Sequence, residues 1–203
     1  MVRFNHHRGK RPQPPLSTSL RKLSAALRRF ARQTRGATAV EFAIVATPFF
    51  MLLFGTMELG LLFMASTTLD AATVDAARNI RTGAMQTSGS SSAASFQADV
   101  CRHMSWLSSA DCSANVLVDV RTFATFGTMT NKPPVTNGAL NPNLTTYDPG
   151  VSCSIVLVRV FYPYTLYTPL LDPGLPNLGA TKHLLASAAA FRNENYSGAS
   201  PCT

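Results

Sequence analysis

The longest apolar stretch runs from Phe42 to Ala65 (FAIVATPFFMLLFGTMELGLLFMA), 24 residues without a lysine or arginine. As a helix it would measure about 36 Å at 1.5 Å per residue, enough to cross a hydrocarbon core of roughly 30 Å. Pro48 frees the carbonyl of Ile44 and is expected to loosen the helix there. Beyond Ala65 the pattern changes rather than stops. Residues 66–82 (STTLDAATVDAARNIRT) are alanine-rich without Gly or Pro, and Leu69, Ala76 and Ile80 fall near one face. Asp75 can pair with Arg78, and Gly83 supplies a stop signal. One helix is therefore expected from about Ala39 to Thr82, an anchor that continues as an amphipathic stem.

Small polar residues at 84–95 (AMQTSGSSSAAS) predict a flexible linker. Phe96, Val100, Met104 and Leu107 recur at spacings of three and four, which predicts a short helix over 96–107. Alternating patterns over 115–123 (NVLVDVRTF) and 153–162 (CSIVLVRVFY) predict half-buried antiparallel strands. Between them, 127–152 reads as loop, and a second Pro/Gly-rich turn covers 168–179. Residues 182–192 (KHLLASAAAFR) favour helix by their alanine content, yet a strand there would close the sheet, and a strand is the expectation. The fold class is α+β: a long N-terminal helix over 37–83, then a small antiparallel sheet domain over 96–203.

Charge sharpens this division. Charged residues make up 14% of the chain, well below the usual quarter, and the net charge of +8 is unevenly spread. Residues 1–35 hold ten Lys and Arg and no acid, leaving eight basic against ten acidic residues in the remainder. The basic character belongs to the leader alone. No later segment offers a basic face with aromatic or helical readers, so nucleic acid is not expected as a partner. Residues 1–20, with Pro12, Pro14 and Pro15, read as disordered and cytosolic. Leu20, Leu23, Leu27 and Phe30 alternate with Arg and Lys, a basic amphipathic helix suited to an anionic lipid surface.

No basic residue lies between Arg35 and Arg78. The positive-inside rule then keeps the N-terminus in the cytoplasm and exports everything after Ala65. A cleaved secretory signal fits poorly, because the apolar run exceeds the roughly 7–15 residues of such a core and lacks a small-x-small exit. The four cysteines, Cys101, Cys112, Cys153 and Cys202, all fall on the exported side. An even count in an oxidising compartment predicts disulfides. Of the three connectivities, Cys101–Cys112 joins neighbours across a short helix and turn, which leaves Cys153–Cys202. The chain-entropy model gives about 3 kcal/mol for the first and about 4 kcal/mol for the second. A zinc site is not expected: no CxxC spacing occurs, and His6–His7 in the leader lacks a third ligand.

Residues 32–42 read RQTRGATAVEF: a basic stretch, a glycine, four small or apolar residues, then Glu-Phe opening the apolar helix. This arrangement resembles the processing site of type IV pilin-like precursors, in which a membrane aspartyl peptidase cuts after the glycine. The resemblance implies cleavage between Gly36 and Ala37, removal of 1–36, and Glu41 as the fifth residue of the mature chain, followed by Phe42. The chemistry of each element fits. Glycine leaves the backbone open to a protease, basic residues hold the site at the lipid surface, and cutting creates an ammonium on Ala37 one turn from Glu41.

The likeness extends further. RGATAVEFAIVATPFFMLLFGTMELG, LDAATVDAARNIRTG, NVLVDVR, VLVRVFYPY and AAFRNENY together resemble the TadE-like minor pseudopilins of tight-adherence (Flp-type) pilus systems, over essentially all of 30–196. The resemblance implies a pilin-like fold and a part in assembling a thin adhesion fibre. It also implies a prepilin peptidase, other pilins and pseudopilins, inner-membrane pilus assembly proteins and membrane lipid as partners. The sister TadF shares the anchor motif, so either role fits. Glu58, in Glu58-Leu59-Gly60, follows the family's Glu-apolar-Gly pattern and is the second intramembrane acid, a functional candidate by that placement. It points about 100° away from Glu41 around the helix; its other reading is a hydrated acid near the periplasmic interface.

No nucleophile elbow, metal-ligand helix or phosphate loop occurs, so no catalytic residue, cofactor or small-molecule substrate is expected. The rival to an assembly subunit is an unprocessed, single-span membrane-anchored periplasmic binding or sensing domain.

Overall fold

The computed structural model describes residues 34–104, 107, 109–130, 133–141, 145–168, 174–198 and 202. Residues 1–33 of the basic leader, with the amphipathic segment 20–30 and His6–His7, lie outside them. The chain divides into two compact units, 1–50 and 51–203.

Helix α1 (Thr34–Arg81) runs for 48 residues and passes through Pro48 without interruption. It starts five residues before the expected Ala39. A glycine inside a helix costs about 1 kcal/mol relative to alanine, and extending an existing helix is easy where starting one is not, so Gly36 does not stop it. In the first unit the described side chains of this helix, among them Val40, Phe42, Ile44, Val45 and Phe49, are exposed, with Ala46 half-buried.

In the second unit α1 has two faces. Gly55, Glu58, Ala65, Leu69, Ala72, Ala76 and Ile80 are buried, with Leu62 half-buried among them, a stripe at alternating steps of three and four. The stripe begins eleven residues before the predicted stem: one side of the apolar run is a packing face. Helix α1 ends where Gly83 turns left-handed at φ 78°, its N–H reaching the Ile80 carbonyl at 3.1 Å.

The expected flexible linker is partly structured. A short turn, α2 (Ala84–Thr87), is followed by α3 (Ala93–His103), which starts three residues early. The Ser92 hydroxyl accepts from the Ser95 N–H while the Ser95 hydroxyl accepts from the Ser92 N–H, a capping box with serine in place of the usual Glu or Gln. Helix α4 (Ser109–Asn115), which the apolar pattern gave no reason to expect, leads into β1 (Leu117–Phe123). A minor hairpin, β2 (Val135–Thr136) and β3 (Ala139–Leu140), sits within the predicted loop. Its turn residues, Asn137 and Gly138, both have positive φ, as two-residue hairpins require.

Strands β4 (Ile155–Thr165) and β5 (Lys182–Arg192) complete an antiparallel sheet of order β1-β4-β5. Alanine content did not make a helix of 182–192, because pairing with β4 along its whole length outweighs propensity. Val118, Val120, Val156, Val158, Val160 and Leu185 pack with the α1 stripe and with Phe96 and Val100 of α3. The opposite face of the sheet carries Phe161 and Leu184, covered by Val135, Leu140 and Leu178.

Candidate functional site: the anchor helix and its hold on the domain

Gly36, Ala37, Glu41 and Phe42 all lie on α1. A side chain at Gly36 would meet nothing within 4 Å, so no packing requires a glycine there. Glu41 is exposed, as is Phe42 at 70%. No ion pair to Glu41 is formed among the described residues.

Glu58 is placed very differently. It is only 5% exposed, and its carboxylate accepts the backbone N–H groups of both Tyr167 and Thr168, the latter at 2.7 Å. Two backbone donors take the place that water has around an exposed acid. The loop after β4 thus grips the helix at the second acid of the apolar run. The alternating strand pattern gave no sign of this contact, because the partners are main-chain groups just beyond the strand.

Higher on the stem, Asp99 of α3 is buried and accepts from Asn79 of α1 at 2.6 Å while pairing with Arg102. At the C-terminal end of α1 the closing segment forms a clamp. The Glu194 N–H donates to the Arg81 carbonyl, the two side chains pair at 3.3 Å, and Tyr196 lies against Gly83. Asn193, buried, donates to the carbonyls of Pro149 and Val151. Burial raises the Tyr196 phenol above its usual range and does the same for Tyr147, whose ring lies 6.3 Å from that of Phe96.

Disulfides join Cys101 to Cys112 and Cys153 to Cys202. The first links α3 to α4, and the second fastens the C-terminal segment to the turn before β4. Across the sheet, Arg159 of β4 is paired with Asp119 of β1 at 2.6 Å, both almost fully buried, and Arg121 contacts the same carboxylate. The Arg159 guanidinium also lies 5.5 Å over the Phe161 ring. The sequence signal for this pair was present as charges inside NVLVDVR and VLVRVFY, but alternation alone assigns them to a solvated face. Among the described residues no three His, Cys, Asp or Glu side chains gather as a metal site.

A long apolar helix followed by a small antiparallel sheet domain with two disulfides defines an α+β protein. Helix α1 is long and apolar enough to cross a membrane. The family model for TadE-like protein matches residues 36–78, the stretch that forms most of α1, so in its anchor and stem the chain is similar to TadE-like proteins. This supports involvement in the tight-adherence pilus system and fits a single-pass membrane protein. No curated protein and no solved structure matches the chain.

Proposed function

We propose that this protein is a minor pseudopilin that takes part in assembling a tight-adherence pilus, after a prepilin peptidase cuts it between Gly36 and Ala37. The observation that carries the reading is the coincidence of two boundaries. The TadE-like match begins at Gly36, the residue at which the acid-free basic leader ends and the anchor begins. Gly36 is free of packing contacts, so the segment can be drawn into a protease cleft without disturbing the domain.

In this reading the N-terminus faces the cytoplasm and the sheet domain faces the periplasm. The all-basic flank favours that orientation, as do two disulfides in the exported part. The size of that domain suits a minor, initiating or organising subunit rather than the bulk of a fibre. Other pilins, pseudopilins and inner-membrane assembly proteins are its partners.

N-terminal sequencing of the protein from cells with and without the peptidase tests this directly. A mature chain beginning at Ala37, and a Gly36→Leu variant that stays full length, are expected. A chain that keeps its leader in the presence of the peptidase would favour an unprocessed, anchored periplasmic domain instead.

A further inference from the structure

The apolar run is longer than a bilayer needs, and the excess has a structural use. Counted from Thr38, where the helix long and apolar enough to cross a membrane begins, the 20 residues to Met57 give about 30 Å of helix, which already matches the hydrocarbon thickness. Glu58 then falls at the outer boundary. Past it, Leu59, Leu61, Phe63 and Met64 remain exposed, Phe63 by 72%, while the opposite face of the same helix is buried. Four large apolar side chains left uncovered on a helix next to a folded domain form a patch that water does not favour.

The end of β4 carries three tyrosines to this patch. Tyr162, Tyr164 and Tyr167 line a cleft of about 280 Å³ with Leu61, Met64 and Thr165, and Tyr167 is 82% exposed. Tyrosine is enriched at membrane–water interfaces because its ring is apolar and its hydroxyl is wet. The loop that bears Tyr167 also supplies the two N–H groups that hold the Glu58 carboxylate. A charge at that depth needs such partners.

We infer that the segment from Tyr162 to Thr168 is a membrane seat. It rests in the headgroup layer of the outer leaflet, with Tyr162, Tyr164 and Tyr167 among the phospholipid headgroups and Leu61, Phe63 and Met64 against the upper acyl chains. The occupant of the patch is lipid, because the patch continues the exposed apolar surface of the span itself. The sheet domain is thereby held against the bilayer at a fixed height instead of swinging on a free stem. The inference rests on the membrane-anchor reading of α1 given above.

The test uses the full-length chain in phosphatidylcholine vesicles, with the single tryptophan removed as Trp106→Phe. Separate tryptophan probes then replace Phe49, Tyr167 and Val151. Emission is compared in ordinary vesicles and in vesicles of lipid brominated near both the headgroup end and the methyl end of the acyl chain, and again with aqueous iodide. Tyr167→Trp should lose emission in bromolipid to an extent near that of Phe49→Trp and resist iodide, whereas Val151→Trp should show the reverse.

Failure of bromolipid to quench Phe49→Trp would sink the anchor itself. Quenching at 49 with free iodide access at 167 would overturn the seat alone. Protection at 167 from both quenchers would also overturn it, since a protein surface and not lipid would then cover the patch.

Discussion

The Glu58 carboxylate accepts the backbone N–H of Thr168 at 2.7 Å across 110 residues of sequence. With the Tyr167 N–H on its other oxygen, it fastens the far end of β4 to the helix that the sheet must stand on. Hydrogen bonds to a charged acceptor contribute about 1.5–3 kcal/mol, and losing the acceptor leaves two N–H groups without a partner. Glu58→Ala should therefore lower stability by about that amount and make the Tyr167 and Thr168 amides exchange rapidly, as read by hydrogen exchange on the protein in micelles. Glu58→Gln keeps one oxygen acceptor and should lose less. Equal exchange in all three proteins would mean that the carboxylate does not hold the loop.

Gly83 is required twice over. Its φ of 78° lies in the left-handed region, which costs a residue with a side chain about 1–2 kcal/mol. A Cβ there would fall 2.2 Å from the Tyr196 ring, an overlap of the kind that costs about 1–3 kcal/mol. Gly83→Ala should lower the denaturation midpoint clearly. The Gly83→Ala/Tyr196→Ala pair, measured against Tyr196→Ala, should show only the backbone part. A Gly83→Ala protein as stable as the parent would overturn the clamp.

Much of this architecture was legible because period and propensity agreed. The helix to Gly83 and the strands at 117–123 and 155–165 follow from residue spacing, and the disulfides join the expected pairs, Cys101–Cys112 from closeness in sequence and Cys153–Cys202 as the pair then left. What stayed hidden depends on groups without a sequence pattern. The Tyr167 and Thr168 amides that meet Glu58 are main chain, and the Tyr196 ring that meets Gly83 is 113 residues away. The early start of α3 came from a serine doing the work usually assigned to Glu or Gln in a capping box. The apolar run also hid a packing stripe, because a residue suited to lipid is equally suited to a protein core.

The Asp119–Arg159 pair joins the strands where they are register partners. Removing one member of a buried pair strands the other charge, at about 3–5 kcal/mol. Asp119→Ala should accordingly unfold the domain at markedly lower denaturant. Replacing both, as Asp119→Leu with Arg159→Met, should recover much of the loss, since well-packed apolar substitutes for a buried pair are often neutral. A double variant worse than Asp119→Ala would show that the pair contributes more than mutual neutralisation.

Glu41 offers the sharpest separation of processing from assembly. It stands exposed near the start of the apolar helix, where a charge costs less than the roughly 2.5–3.5 kcal/mol that insertion scales give at a span's centre. Cleavage after Gly36 would place an ammonium on Ala37, one helical turn away on the same face, and that amine or a neighbouring subunit's is the natural partner. Glu41→Gln preserves size and hydrogen bonding while removing the charge. The variant should insert at least as well and still be cut, because the peptidase acts at Gly36. Assembly should fail: fewer pili by electron microscopy, and weaker co-purification with other pilus subunits. Normal piliation in a Glu41→Gln strain whose chain still begins at Ala37 would make the carboxylate incidental. The pilin-like motif would then serve cleavage alone.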